Sequence, residues 1–97
     1  MKSLNDIKNV ISGHKAELQE KYYISEIGIF GSYVRGEETP KSDVDILVEF
    51  EKPVSLFAVS SLENYLSDLL GVKVDVVRKR SVRKELKENI LKEVVNL

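Results

Sequence analysis

The segment from Val44 to Phe50, VDILVEF, constrains the fold of this chain more than any other segment. Its apolar and β-branched residues predict a strand that enters a hydrophobic core. Two carboxylates, Asp43 and Asp45, stand at its start, where charged side chains are uncommon. Because the side chains of a strand alternate between its two faces, both aspartates point to one face, while Val44 and Ile46 point to the other. The segment therefore predicts a core on one face and an acidic site on the other.

The remaining periodicity predicts an α/β (α+β) domain with the element order α-β-α-β-α-β-α. The expected elements are a first helix capped by Ser3 that fades near Tyr23, a strand over 24–30, a helical turn and loop over 32–42, a helix over 56–70, a strand over 72–77, and a last helix capped by Ser81. They form a small mixed three-stranded sheet, with a four-stranded sheet as the alternative, flanked by about four helices. We expect residues 1–97 to be a single domain.

Composition excludes several classes of protein. The 97 residues include no cysteine, which removes disulfides and thiolate metal sites. The formal net charge of −1 argues against stable nucleic-acid binding, for which a basic excess is typical. Because no apolar run has the length of a membrane span or the character of a signal peptide, we expect a cytoplasmic protein without membrane association.

Charge is nevertheless unevenly distributed along the chain. Residues 37–51 are rich in acids, and residues 78–84, RKRSVRK, are rich in bases. The two segments either form one site for metal and phosphate or are two separate solvated faces. For the basic segment, contact with a partner or a triphosphate and a solvated helix start remain alternatives.

A third aspartate, Asp75, lies in the alternating segment VKVDVV. If its strand neighbours the strand of Asp45, the three aspartates lie together, and their repulsion requires a cation. Oxygen ligands without histidine or cysteine favour Mg²⁺ or Mn²⁺ over zinc. The alternatives are that Asp43 caps a turn and that Asp75 is a solvent-facing strand residue.

The Gly31-Ser32 step follows the first strand and begins a helical turn, where backbone N–H groups and the Ser32 hydroxyl can bind an anion. Alone, such a step is more often a simple turn. Arg35 lies on the same side of that turn, and either reaches a phosphate or pairs with Glu38 or an aspartate. Tyr33 is interpreted as a surface or partner-contacting aromatic residue, and Lys73 as a solvated lysine or a phosphate contact.

The combined pattern resembles the motif of the DNA polymerase β-like nucleotidyltransferases, and within them the minimal nucleotidyltransferases. The resemblance covers most of the chain from Ile24 onward, as far as a closing helix with Glu93, and it rests on Gly31, Ser32, Asp43, Asp45 and Asp75. It implies transfer of a nucleoside monophosphate from a triphosphate to a hydroxyl, with two Mg²⁺ ions as cofactors.

The same resemblance implies roles for single residues. Asp43 and Asp45 would be catalytic ligands shared by both ions, and Asp75 would complete the acceptor-side ion. Gly31 and Ser32 would bind the phosphates of ATP. Minimal members of the family pair with small helical HEPN-type toxins and transfer AMP to a toxin tyrosine, which implies an antitoxin that forms a hetero-oligomer with its toxin.

Two alternatives to this function remain. The chain could neutralise a toxin by binding and occlusion alone, without catalysis. It could also transfer nucleotides to RNA or to a small-molecule hydroxyl, although its short length and near-neutral charge favour this least.

Overall fold

The computed structural model describes residues 3–97. The helices are α1 (Leu4–Gly13), α2 (Lys15–Tyr22), α3 (Ser32–Arg35), α4 (Leu56–Leu70) and α5 (Lys84–Glu93). The strands are β1 (Ile24–Phe30), β2 (Val44–Phe50), β3 (Val74–Arg78) and β4 (Val95–Asn96). A 3₁₀ turn over Lys79–Ser81 joins β3 to the segment before α5. The α+β class predicted from the periodicity is confirmed.

The strands form one mixed sheet in the order β3-β2-β1-β4. β1 is antiparallel to β2 and to β4, whereas β2 and β3 are parallel. The four-stranded alternative is therefore the correct one. β4 pairs with Gly28 and Ile29 of β1, and the Leu97 N–H donates to the Ile27 carbonyl oxygen.

The core lies on one face of the sheet, and the alternation within β2 explains it. Val44, Ile46 and Val48 are at most 1% exposed, and they pack with apolar side chains of α1, α2 and α4. Burying side chains of this size contributes about 1.5–3 kcal/mol each. Asp45 points to the other face, as predicted.

The predicted first helix is interrupted. α1 ends at Gly13, and His14 has φ −112° and ψ 8°, outside the helical region, before α2 begins at Lys15. The ring Nδ1 of His14 lies 2.9 Å from the Val10 carbonyl oxygen, at the C-terminal turn of α1. One continuous helix was therefore the wrong prediction, and glycine, a poor helix former, stands at the break.

The C-terminal prediction was also wrong in its bounds. The N-cap residue of α5 is Arg83 rather than Ser81, which ends the 3₁₀ turn, and the helix stops at Glu93. The residues after Glu93 form β4 and pair with β1 instead of continuing the helix. The apolar spacing up to Leu97 fits a helix equally well. β3 begins at Val74 rather than at Val72.

α4 ends at Leu70, as predicted, and its C-cap residue is Gly71. This residue has φ +68°, the left-handed conformation that glycine adopts without steric cost. The Ser55 hydroxyl caps the other end by accepting the Ala58 N–H at 3.2 Å. Between residues 3 and 97, no helix is long and apolar enough to cross a membrane.

Candidate active site

Asp45 and Asp75 are register partners on the neighbouring parallel strands β2 and β3. Partners in register share a face of the sheet and have neighbouring side chains. The strand adjacency on which the acidic cluster depends is thus confirmed. Asp43 lies just before β2, two residues from Asp45, and both Asp43 and Asp75 are near enough to affect the pKa of Asp45.

The negative charge of Asp45 is only partly compensated, by the nearby Arg35. Burial, followed by repulsion from Asp75 and then Asp43, raises the pKa of Asp45 to about 6. Asp43 has a nearby cation, since its Oδ2 lies 3.7 Å from the Lys73 ammonium, but the lysine side chain is 77% exposed. Such an exposed pair compensates little charge.

Gly31 ends β1 directly beside Asp45. Its φ of +85° lies in the region that favours glycine, and a Cβ atom at this position would overlap the Asp45 carboxylate. Its carbonyl oxygen accepts the N–H groups of Val34 and Arg35, which begins α3. The glycine therefore allows the turn and the carboxylate to approach each other closely.

Ser32 is the first residue of α3, and its hydroxyl makes no hydrogen bond within residues 3–97. The first N–H groups of a helix have no partner inside that helix. Anion binding by the Ser32 hydroxyl and this helix start stays a prediction, and the Gly31 N–H before it already donates to Glu93. Tyr33, in contrast, is only 3% exposed and belongs to the core, so its interpretation as a surface aromatic was wrong.

Arg35 pairs with carboxylates other than those predicted. Its Nε donates to Glu37 and its Nη1 to Glu93, both at 2.7 Å, rather than to Glu38 or an aspartate. These hydrogen bonds, with Glu37 first, raise the pKa of the guanidinium. A phosphate contact by Arg35 remains a prediction.

Glu93 is the residue of this site to which sequence reasoning gave no role. Its Oε2 accepts the Gly31 N–H at 2.8 Å, while its Oε1 accepts Arg35. Burial alone would raise the pKa of Glu93, but the bonds from Gly31 and Arg35 outweigh it and lower the pKa. The sequence did contain one signal for Glu93, which is its place at the C-terminal end of a predicted helix. The helix dipole disfavours an acidic side chain there, so a compensating partner is expected.

The site is continued by a cleft of about 310 Å³ between the sheet edge and α5. It is lined by Phe30, Gly31, Arg35, Asp45, Leu86, Asn89, Ile90 and Glu93. The basic segment 78–84 contributes none of these residues, and Lys79 instead pairs with Glu26 and Glu49. Both pairs lie near the C-terminal end of β2, whereas Asp45 lies at its N-terminal end.

The donor set fits a hard divalent cation. Among the described residues, no three acidic or histidine side chains already surround one point as a closed metal site would require. Mg²⁺, however, is typically held by one or two carboxylates together with substrate phosphates, and it retains water. The all-oxygen set and the excess of negative charge around Asp45 match the carboxylates of such a site.

Paired carboxylates on neighbouring strands of a mixed sheet, beside a Gly-Ser turn, are an arrangement that metal-dependent phosphoryl- and nucleotidyl-transfer domains use. Residues 11–97 match the family model described as "Nucleotidyltransferase domain". The chain belongs to this nucleotidyltransferase family.

Known relatives support the same conclusion. The chain is 48% identical to the protein adenylyltransferase MntA of Thermococcus cleftensis over 95 residues, covering 98% of this chain and 96% of the relative. A solved structure named as a candidate minimal nucleotidyltransferase has a TM-score of 0.77 and 33% identity, covering 94% of this chain and 95% of its own. A toxin–antitoxin structure with AMP-PNP has a TM-score of 0.72 and 26% identity, covering 87% of this chain and 69% of its own.

Proposed function

We propose that this chain is a Mg²⁺-dependent protein adenylyltransferase that transfers AMP from ATP to a tyrosine of a HEPN-type toxin and thereby neutralises the toxin. The observation that supports this most is the register pairing of Asp45 with Asp75 beside the Gly31 turn. A near-full-length relative that is named protein adenylyltransferase supports the choice of substrates.

In this mechanism, Asp43 and Asp45 would hold the divalent cation. A bound Mg²⁺ supplies charge neutralisation and lowers the pKa of the attacking hydroxyl. Gly31 lets the turn approach closely, and Ser32 offers its hydroxyl to the phosphates. Asp75, which is exposed on the edge strand β3, faces the side from which an acceptor can approach.

The bond changes follow from the substrates. The acceptor oxygen forms a bond to the α-phosphorus of ATP, the bond from that phosphorus to the pyrophosphate oxygen breaks, and the hydroxyl proton is released. Catalysis by the protein consists mainly of positioning and of compensating charge on the phosphates. Because a chain of 97 residues has little room for an acceptor-binding domain, we infer that the partner brings the acceptor and forms a hetero-oligomer with this chain.

The test is intact-mass measurement of a cognate HEPN-type toxin after incubation with this protein, Mg²⁺ and ATP. We expect the toxin mass to increase by AMP units, and the increase to vanish with Asp43→Asn combined with Asp45→Asn. Asp68→Asn, which changes an exposed carboxylate on α4, is the matched control.

The variants also separate the alternatives. If the double variant still binds the toxin but no longer neutralises it, neutralisation is catalytic. Full neutralisation by that variant would instead show occlusion. Labelling of RNA or of a small hydroxyl compound in the absence of any protein partner would contradict a protein acceptor.

A further inference from the structure

The Glu93 carboxylate joins the last turn of α5 to the turn between β1 and α3. It accepts one hydrogen bond from the Gly31 N–H and one from Arg35, at 2.8 and 2.7 Å. Its side chain is 20% exposed, and a carboxylate with so little access to water requires such partners. Because β4 pairs with β1 immediately after Glu93, the backbone on its C-terminal side is held as well.

Arg35 and Asp45 line the same cleft beside Gly31 and Glu93. Arg35 is the one cationic side chain in the described lining of this cleft. Within residues 3–97, Asp45 forms no ion pair, although the Arg35 charge is near enough to oppose the effect of burial and of the other aspartates on Asp45. A guanidinium pairs strongly with carboxylates, so Asp45 and Glu93 are competing partners for Arg35.

The competition is decided in favour of Glu93. The Gly31 N–H fixes one oxygen of Glu93, which leaves the other oxygen directed at the guanidinium, and Glu37 binds Arg35 from a second position. The guanidinium is thereby held by two glutamates. Asp45 keeps its carboxylate oxygens free.

We propose that Glu93 is a positioning residue that keeps Arg35 from pairing with Asp45 and so preserves Asp45 as a ligand for the divalent cation. The inference rests on the proposed function only in requiring that Asp45 binds the cation. Without Glu93, the guanidinium turns toward Asp45 and competes with the cation for the same oxygens.

The test is a Mn²⁺ titration of the nucleotide-free protein, in which electron paramagnetic resonance measures free Mn²⁺. The proteins are the native chain, Glu93→Gln, Arg35→Gln and the combination of both. We expect Glu93→Gln to weaken Mn²⁺ binding about tenfold, and Arg35→Gln to restore it in that background while changing the native protein about twofold at most. This non-additivity is the signature of positioning, because charge effects alone would add.

Two further variants control for charge. Glu37→Gln also removes a negative partner of Arg35 but leaves the Glu93 contacts in place, so we expect Mn²⁺ binding within about twofold of native. Glu93→Asp keeps the charge but shortens the side chain, so that it cannot reach both partners, and we expect weaker Mn²⁺ binding. It also provides a folded variant if Glu93→Gln unfolds, which thermal denaturation will show.

Additive effects in the four-protein comparison, or native Mn²⁺ affinity in Glu93→Asp, would overturn the positioning role. A different result would contradict the metal site itself: no Mn²⁺ binding by the native chain, or binding that Asp45→Asn leaves unchanged. In that case both the positioning role and the metal site would be wrong. This outcome differs from failure of the positioning role alone, in which the native chain still binds Mn²⁺ through Asp45.

Discussion

Asp45 lies opposite Asp75 across the parallel pair β2–β3, so two carboxylates are neighbours on one face of the sheet. Strand pairing normally disfavours like charges in this position. We therefore expect the arrangement to cost stability in the metal-free protein and, under the proposed function, to become favourable when a divalent cation binds.

Asp45→Asn is expected to increase the stability of the metal-free protein at pH 8 and to abolish nucleotidyl transfer. The pKa of Asp45 is about 6 in the folded protein against an ordinary value of 3.8. A group with a raised pKa favours folding while it is protonated, so this contribution is lost as the pH rises from about 4 through about 6. Solvent screening limits the gain in the variant to roughly 1 kcal/mol.

Thermal unfolding in EDTA at pH 4 and pH 8 measures this effect. The native protein should lose more stability between the two values than Asp45→Asn, and added Mg²⁺ should recover stability only in the native protein. Asp68→Asn is the control. Equal pH dependence of the native protein and Asp45→Asn would contradict the predicted repulsion.

Gly31→Ala is expected to destabilise the protein by more than about 2 kcal/mol, because positive φ and overlap with the Asp45 carboxylate act together. Gly71→Ala separates the two causes, since Gly71 has φ +68° but no neighbour within 4 Å of an added Cβ atom. Its expected cost is about 1–2 kcal/mol. Chemical denaturation measures both, and equal costs would show that the approach of Asp45 does not require glycine.

Glu63→Ala is expected to loosen β3 around Asp75. β3 is an edge strand, and its outward N–H groups at Val74 and Val76 donate to Ser67 at 2.9 Å and Glu63 at 2.8 Å on α4. Removing the Glu63 acceptor leaves a partly buried N–H unsatisfied, at a cost of about 1–3 kcal/mol. Hydrogen exchange at the Val76 amide should accelerate in Glu63→Ala and much less in Glu63→Gln, which retains an acceptor oxygen.

Lys73→Gln is expected to leave the free energy of unfolding within about 0.5 kcal/mol of native, because its pair with Asp43 is exposed and 3.7 Å long. The transfer rate at saturating ATP should also change little. A loss of ATP affinity comparable to that of Ser32→Ala would show instead that Lys73 contacts phosphate. Steady-state kinetics on both variants decides between these outcomes.

Much of the fold is predictable from local pattern. The alternation in VDILVEF assigned Val44 and Ile46 to the core and Asp45 to the opposite face, and the burial of the two apolar side chains confirms it. Ser55 and Gly71 bound α4 as capping rules predict. These predictions succeeded because caps and periodicity depend on residues a few positions apart.

The failures arise where a long-range contact overrides a local pattern. The spacing of Val94 and Leu97 fits a continued helix, yet pairing with β1 turns this segment into a strand. The predicted partners of Arg35 were the nearby Glu38 and the aspartates of the motif. The structure instead pairs Arg35 with Glu93, which is 58 residues away. Tyr33 was misplaced because a single aromatic residue in a short turn has no periodicity that indicates burial.

The sequence by itself determined the alternation of helix and strand, the common face of Asp43 and Asp45, and the Gly-Ser turn that precedes them, because each depends on short-range stereochemistry. Only the tertiary structure decided that Asp75 pairs in register with Asp45, and that Glu93 binds Gly31 across 62 residues of chain. The physical reason is that strand order and the docking of α5 are set by packing of the whole core, which no local spacing encodes.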